Sequence, residues 1–181
     1  MTFIGTHRSW RVAVNDENPT AAYDVEDWLE WSDPEPCDSN QSVRARAVIE
    51  VLRFDGGKRQ RALAGGEIRL NGQNARCVRV GQAPGLTLGS ATTCRSELAQ
   101  ALVPGLPRDF APATLNGIVE VPAERPAGFS IVVDRAGYDE VDSSEIAFEF
   151  AGGLLLVTLL MRLRGSDLNT STLEHVCSEG S

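Results

Sequence analysis

The chain has 181 residues, of which 42% are hydrophobic and 23% charged, and its net charge is −8. That length carries one domain with a sizeable core, and that composition excludes a wholly disordered chain. The negative balance argues against a general nucleic-acid binder.

In chain order, the opening MTFIGTHRSWRVAV has no long apolar stretch and no small-residue cleavage site, so no signal peptide is expected. Ser9 to Val14 alternates weakly and predicts a strand, and NDENPT at 15–20 predicts a turn. Residues 21–40, AAYDVEDWLEWSDPEPCDSN, form an acidic segment with two tryptophans and no base. Asp24 can cap a short helix with Val25, Trp28 and Leu29 on one face. Tyr23, Val25, Leu29 and Trp31 also fit a strand. The helix is favoured because acids in a first turn suit the helix dipole, and the segment then acts as a lid. Val43 to Val51 alternates and is β-branched, and Asp55-Gly56-Gly57 follows, so a strand entering a hairpin is favoured over 42–54. A helix capped by Ser42 is the alternative. Glu67 to Leu70, Asn71-Gly72 and Ala75 to Val80 predict a second hairpin.

A short strand over Leu86 to Leu88 and a helix from Thr93 to Val103 come next, the helix stopped by Pro104-Gly105. GLPRDFAPATLNG, 105–117, predicts a loop. Ile118 to Val121 and Phe129 to Asp134 predict short strands. Ile146, Phe148 and Phe150 alternate, Ala151-Gly152-Gly153 turns, and Leu154 to Leu163 is apolar on both faces, which predicts a buried hairpin. Its expected core residues are Ile146, Phe148, Phe150, Leu155, Val157, Leu159 and Met161. The most apolar run, Leu154 to Met161, is far shorter than the about 20 residues that span a bilayer, so no membrane contact is expected. The sum is an α+β, mostly-β fold: an antiparallel or mixed sheet curled into a barrel or sandwich, with about two short helices. It forms a single domain over 1–164 with a polar C-terminal tail over 165–181.

Charge is distributed in blocks. Residues 12–43 hold nine acids and no base, and residues 44–79 hold nine bases against three acids. Cys37, Cys77, Cys94 and Cys177 show no C-x-x-C spacing, so free thiols in a reducing cytoplasm are expected. His7 and His175 are the only histidines. Both lie near an end of the chain, which leaves little for a hydrolytic triad. His175-x-Cys177 has no second ligand pair, and no zinc, phosphate-loop or dinucleotide motif is present. DRAGYDEVDSSE, 134–145, has an acid at each end but lacks the calcium-loop ligand positions and the central Gly, so it reads as a solvated loop. No catalytic residue, metal or cofactor is therefore expected.

The residues left to carry function are Tyr23, Glu26, Asp27, Trp28, Glu30 and Trp31 on the acidic segment, with Arg44, Arg46, Arg76 and Arg79 on the basic strands. Trp, Tyr and Arg are enriched at binding hot spots, and charges set register and encounter rate. The acids can lie over the basic strands of their own chain, a neighbouring copy or a separate partner. The reading favoured is a cytoplasmic, non-enzymatic protein-binding or assembly protein, such as an immunity or adaptor protein or a viral or phage structural subunit. The alternative is a small β-barrel that binds an apolar small molecule, acting as a cofactor-free cyclase or isomerase.

Overall fold

The computed structural model describes residues 3–7, 9–33, 43–70, 75–84, 92–169 and 173. The strands are β1 (Phe3–His7), β2 (Trp10–Asn15), β3 (Asp27–Asp33), β4 (Arg44–Asp55), β5 (Lys58–Leu70), β6 (Arg76–Gln82), β7 (Val103–Pro104) and β8 (Phe129–Tyr138). The helices are α1 (Ala111–Glu120) and α2 (Glu145–Leu163). Strands dominate, and they form one mixed sheet in the order β1-β2-β4-β5-β8-β6-β3, with β7 beside β8. Among the described residues β1 and β3 are the sheet's edges, so it does not close into a barrel.

Both helices pack on one face. Alternate strand residues point to that face, among them Ile49 and Val51 of β4, Ala62 and Ile68 of β5, Val78 of β6 and Ile131 of β8. All are buried with Phe148, Leu155 and Leu159 of α2. The β4–β5 hairpin turns at Gly56 and Gly57, both with positive φ, as the Asp-Gly-Gly signal predicts.

The second predicted hairpin does not form. β5 and β6 both exist, but β8 lies between them, antiparallel to β5 and parallel to β6. The Asn71-Gly72 turn lies outside the described residues, as do Leu86 to Leu88, Cys37, Cys177 and His175. The predicted helix on the acidic segment is instead the edge strand β3, whose whole length registers against β6.

The predicted C-terminal hairpin is one helix of 19 residues, with Ser144 Oγ accepting from the Ala147 amide at its start. Gly152 and Gly153 serve a helix–helix contact there, not a turn. A Cβ on Gly117 would sit 1.9 Å from the Glu149 carbonyl, and one on Gly152 would sit 2.4 Å from that of Thr114. Of the seven predicted core residues, Phe148, Leu155 and Leu159 are fully buried; Ile146 is 54% exposed, and Phe150, Val157 and Met161 are half-buried. α2 is long and apolar enough to cross a membrane, and 67% of its apolar window is buried in the protein.

Residues 105–110 of the predicted loop stay irregular, whereas 111–117 and most of the strand predicted after them form α1. Pro112 sits in the first turn, where its missing N–H costs no intrahelical bond. The Arg125 guanidinium closes the far end by donating to the carbonyls of Ile118, Val119 and Val121. Within the segment read as a polar tail, Leu168 and Leu173 are buried in the main core.

Candidate functional site

The sheet face away from the helices has two halves. One half is covered by a strap, residues 92–104, in place of the helix predicted there. Cys94 and Leu102 bond to each other through their backbones, and both pack with Val48 and Leu63 of the sheet. Leu98 packs with Ala13 and Leu52.

A buried ion network pins the strap. Arg61 of β5 is 0% exposed and Glu50 of β4 is 2% exposed. The Arg61 guanidinium donates to Glu50 Oε1 (3.4 Å), Ser96 Oγ (3.1 Å), the Gln100 carbonyl (2.8 Å) and Asp139 Oδ2 (3.4 Å). Glu50 also accepts from the Ser96 hydroxyl (2.6 Å) and the Glu97 amide (2.7 Å). Those bonds hold the 96–97 backbone to the sheet, so the apolar spacing of Leu98 and Leu102 does not produce a helix. Cys94 is the strap residue turned in against the sheet, where desolvation pushes its thiol up to about 11. Cys94 carries a free thiol.

Desolvation alone would raise the Asp139 carboxyl. The amides of Val141 and Asp142 and the Arg61 guanidinium outweigh it and hold the group below its usual value. A depressed folded-state pKa contributes stability above the unfolded value, about 3.9, and loses it as pH falls through the folded value. Asp139→Asn is therefore expected to flatten the acid limb of the stability–pH curve below about pH 4. Urea melts across that range check it; an unchanged limb would place the acid dependence elsewhere.

The other half of the face is open and organised in rows by the strand register. One row runs Arg46, Glu67, Val132, Arg79, Glu30 across β4, β5, β8, β6 and β3. The row beside it, toward the start of β4, runs Arg44, Arg69, Ser130, Cys77, Ser32. On the other side lie Asp134 and Arg135, with Trp28 at the edge. The register between β5 and β8 shifts at Gly65/Gly66, which leaves Asp134 as an extra residue on β8. A Cβ on Gly66 would sit 2.1 Å from the Val132 carbonyl, so only glycine fits at that shift.

The predicted site residues divide between the two faces. Trp28, Glu30, Arg44, Arg46 and Arg79 share the open face. Arg79 Nε donates to Glu30 Oε1 at 2.7 Å, and its guanidinium lies 4.6 Å from the Trp28 ring centroid. Arg46 bonds both Asp134 oxygens, at 2.9 and 3.0 Å. Trp31 packs against the core on the helix side, so it is no partner anchor on the open face. Arg76 lies on that side too, 3.9 Å from Asp33. Tyr23 donates its hydroxyl to the Gly81 carbonyl at 2.6 Å, and burial pushes its pKa up. Glu26 pairs with Arg108 at 3.2 Å, and Asp27 accepts from the Trp28 amide. Residues 27–33 of the acidic segment therefore lie against the basic strand β6 of their own chain.

Sequence reasoning misses Glu67, Arg69, Asp134 and Arg135 on the open face, and the Glu50–Arg61–Asp139 network beneath the strap. The available signal is Glu50 inside the apolar run VIEVL, and Arg61 at the head of the stretch RALA. A cleft of about 610 Å³ opens beside the strap and includes Thr20, Tyr23, Asp24, Pro84, Thr93 and Tyr138 in its lining. Asp24 is its one carboxylate among the described residues. No group of three or more potential metal ligands occurs among the described residues.

No family model matches the chain, and no curated protein matches it. One similar solved structure is the crystal structure of ttk003000868 from Thermus thermophilus, with 15% identity and a TM-score of 0.43. The likeness covers 77% of this chain and 16% of that one.

Proposed function

We propose that the chain is a non-enzymatic protein-binding or assembly protein whose partner surface is the open half of the sheet, with Trp28, Glu30, Arg44, Arg46 and Arg79 at its centre. The observation that carries this reading is a flat strand surface laid out in charged rows. It ends in a half-buried tryptophan stacked on Arg79, where no core packing requires one. Aromatic and Arg anchors ringed by charge are the usual build of a protein interface. An adaptor or immunity protein, or a structural subunit of a virus or phage, are the concrete forms. The barrel-enzyme alternative needs an enclosed apolar cavity with inward acids. Here, among the described residues, the sheet has two edges, Glu50 is held by Arg61, Ser96 and the Glu97 amide, and Glu67 is held by Arg69, Arg46 and Arg44.

The test is sedimentation in dilute and strong salt, followed by dissociation kinetics of any complex found. Trp28→Ala is expected to speed dissociation at least about tenfold, because it removes buried apolar area from the contact. A strict monomer in all salts, with no partner whose dissociation responds to Trp28→Ala, defeats the reading.

A further inference from the structure

We propose that the outer row of the open face receives a carboxylate-bearing segment of a separate acidic protein, gripped between Arg44 and Arg69. This rests on the reading of the open face as a partner surface and names the chemistry of that partner.

Strand register places Arg44 directly opposite Arg69 on the open face. Like charges in directly opposed strand positions repel. The row continues through Ser130, Cys77 and Ser32, and none of these supplies a compensating carboxylate. Glu67, in the next row, is shared three ways. It meets Arg69 Nε in a short contact, Arg44 at 3.9 Å and Arg46 at 3.8 Å. Asp134 is already taken by Arg46 and by Arg135 at 3.1 Å. Among the described residues this patch therefore sets four guanidinium groups against two carboxylates. The surplus falls where the side chains are most open, at Arg44 (69% exposed) and Arg69 (50% exposed). Two neighbouring guanidinium forks are matched in geometry and charge by carboxylate oxygens.

Three other occupants fit less well. A free small anion would want a concave site, and Arg44 and Arg69 lie on an open surface and do not line the cleft beside the strap. A nucleic acid would meet a chain of net charge −8 and an outer row with no aromatic on which a base could stack. A second copy offering the acids of its own edge strand would have to give up pairs that it already holds. Glu30 and Asp33 of β3, and Glu26 just before it, are already engaged with Arg79, Arg76 and Arg108. An acidic segment of another protein loses no such pairs.

The probe is a short labelled peptide of alternating Glu and Ser, titrated into the full chain. The comparison proteins are the Arg44→Ala/Arg69→Ala double variant and an Arg59→Ala control, whose residue lies at the β4–β5 turn, paired with Asp142. The double variant is expected to bind the peptide at least about tenfold more weakly, the control like the parent, and strong salt should weaken the parent. The Arg44→Ala single variant, which leaves Glu67 its Arg69 and Arg46 partners, should melt like the parent and still bind the peptide more weakly. That result separates lost recognition from lost folding. Four results overturn the assignment: no peptide binding by the parent, equal binding by the double variant, tighter binding of a single-stranded oligonucleotide, or salt-sensitive self-association that the double variant loses. A partner lost on Trp28→Ala but indifferent to Arg44 and Arg69 overturns this assignment and leaves the open-face reading standing. A partner indifferent to both overturns both.

Discussion

Arg61→Met is expected to cost about 3–5 kcal/mol, the usual penalty for leaving one member of a buried ion pair without its partner. The guanidinium is wholly enclosed and is the only cation within bonding reach of the Glu50 carboxylate among the described residues. Its loss also leaves the Gln100 carbonyl without its donor and removes an ion pair from Asp139. Attraction between buried charges roughly offsets their desolvation. The penalty in the single variant is thus mainly the charge left behind, and Arg61→Met/Glu50→Leu should recover much of it. Urea melts of both single variants and the double variant measure this. Hydrogen exchange at the Cys94 and Leu102 amides reports the strap separately, because those amides bond only across the strap. Faster exchange there with near-native global stability would show the network to be a local latch. A single-variant cost below about 1 kcal/mol, typical of exposed pairs, would show that the network does not hold the strap.

The parts of the fold legible in the sequence are those where local pattern and tertiary role agree. β4 alternates, is β-branched at Val48, Ile49 and Val51 among its buried positions and runs into a two-glycine turn to β5, so pattern, turn chemistry and packing agree. Asn71-Gly72 misleads because a turn signal says nothing about which strand arrives later. β8 comes from far along the chain and takes the place beside β5 that a hairpin would have given to β6. Charge at its start makes the acidic segment look helical. Its tertiary setting decides otherwise: Leu29 and Trp31 reach the helix-side core while Trp28 and Glu30 meet Arg79, an alternation only a strand delivers. The open-face residues are half legible. Arg44, Arg46, Arg79, Trp28 and Glu30 can be picked by type, but their grouping depends on register across five strands. Asp134 depends on a register shift that no local motif marks.

The largest misreading, two strands for α2, has a sharp experimental signature. In a strand, Ile146, Phe148 and Phe150 would share one face and respond alike to truncation. In the helix they fan around the axis: Ile146 faces outward, Phe150 lies half-buried with its ring centroid 4.6 Å from that of Trp10, and Phe148 is fully enclosed. Phe148 stacks on Phe110 at 4.9 Å, tying α2 to the start of α1. That junction has little room to collapse, because the two helices meet at Gly117 and Gly152 with backbone almost in contact. Phe148→Ala should therefore leave a cavity and cost about 3–5 kcal/mol. Ile146→Ala should cost about 0.5 kcal/mol or less, as for an exposed position. Phe150→Ala should fall between them. Denaturant melts of the three variants decide the matter by order as well as size, and equal losses at Ile146 and Phe148 would contradict the helix. The expected order follows from Gly152 and Gly153: without side chains there, α1 and α2 approach closely enough to seal Phe148, and a sequence that looks like a turn between strands becomes the closest point of a helix pair.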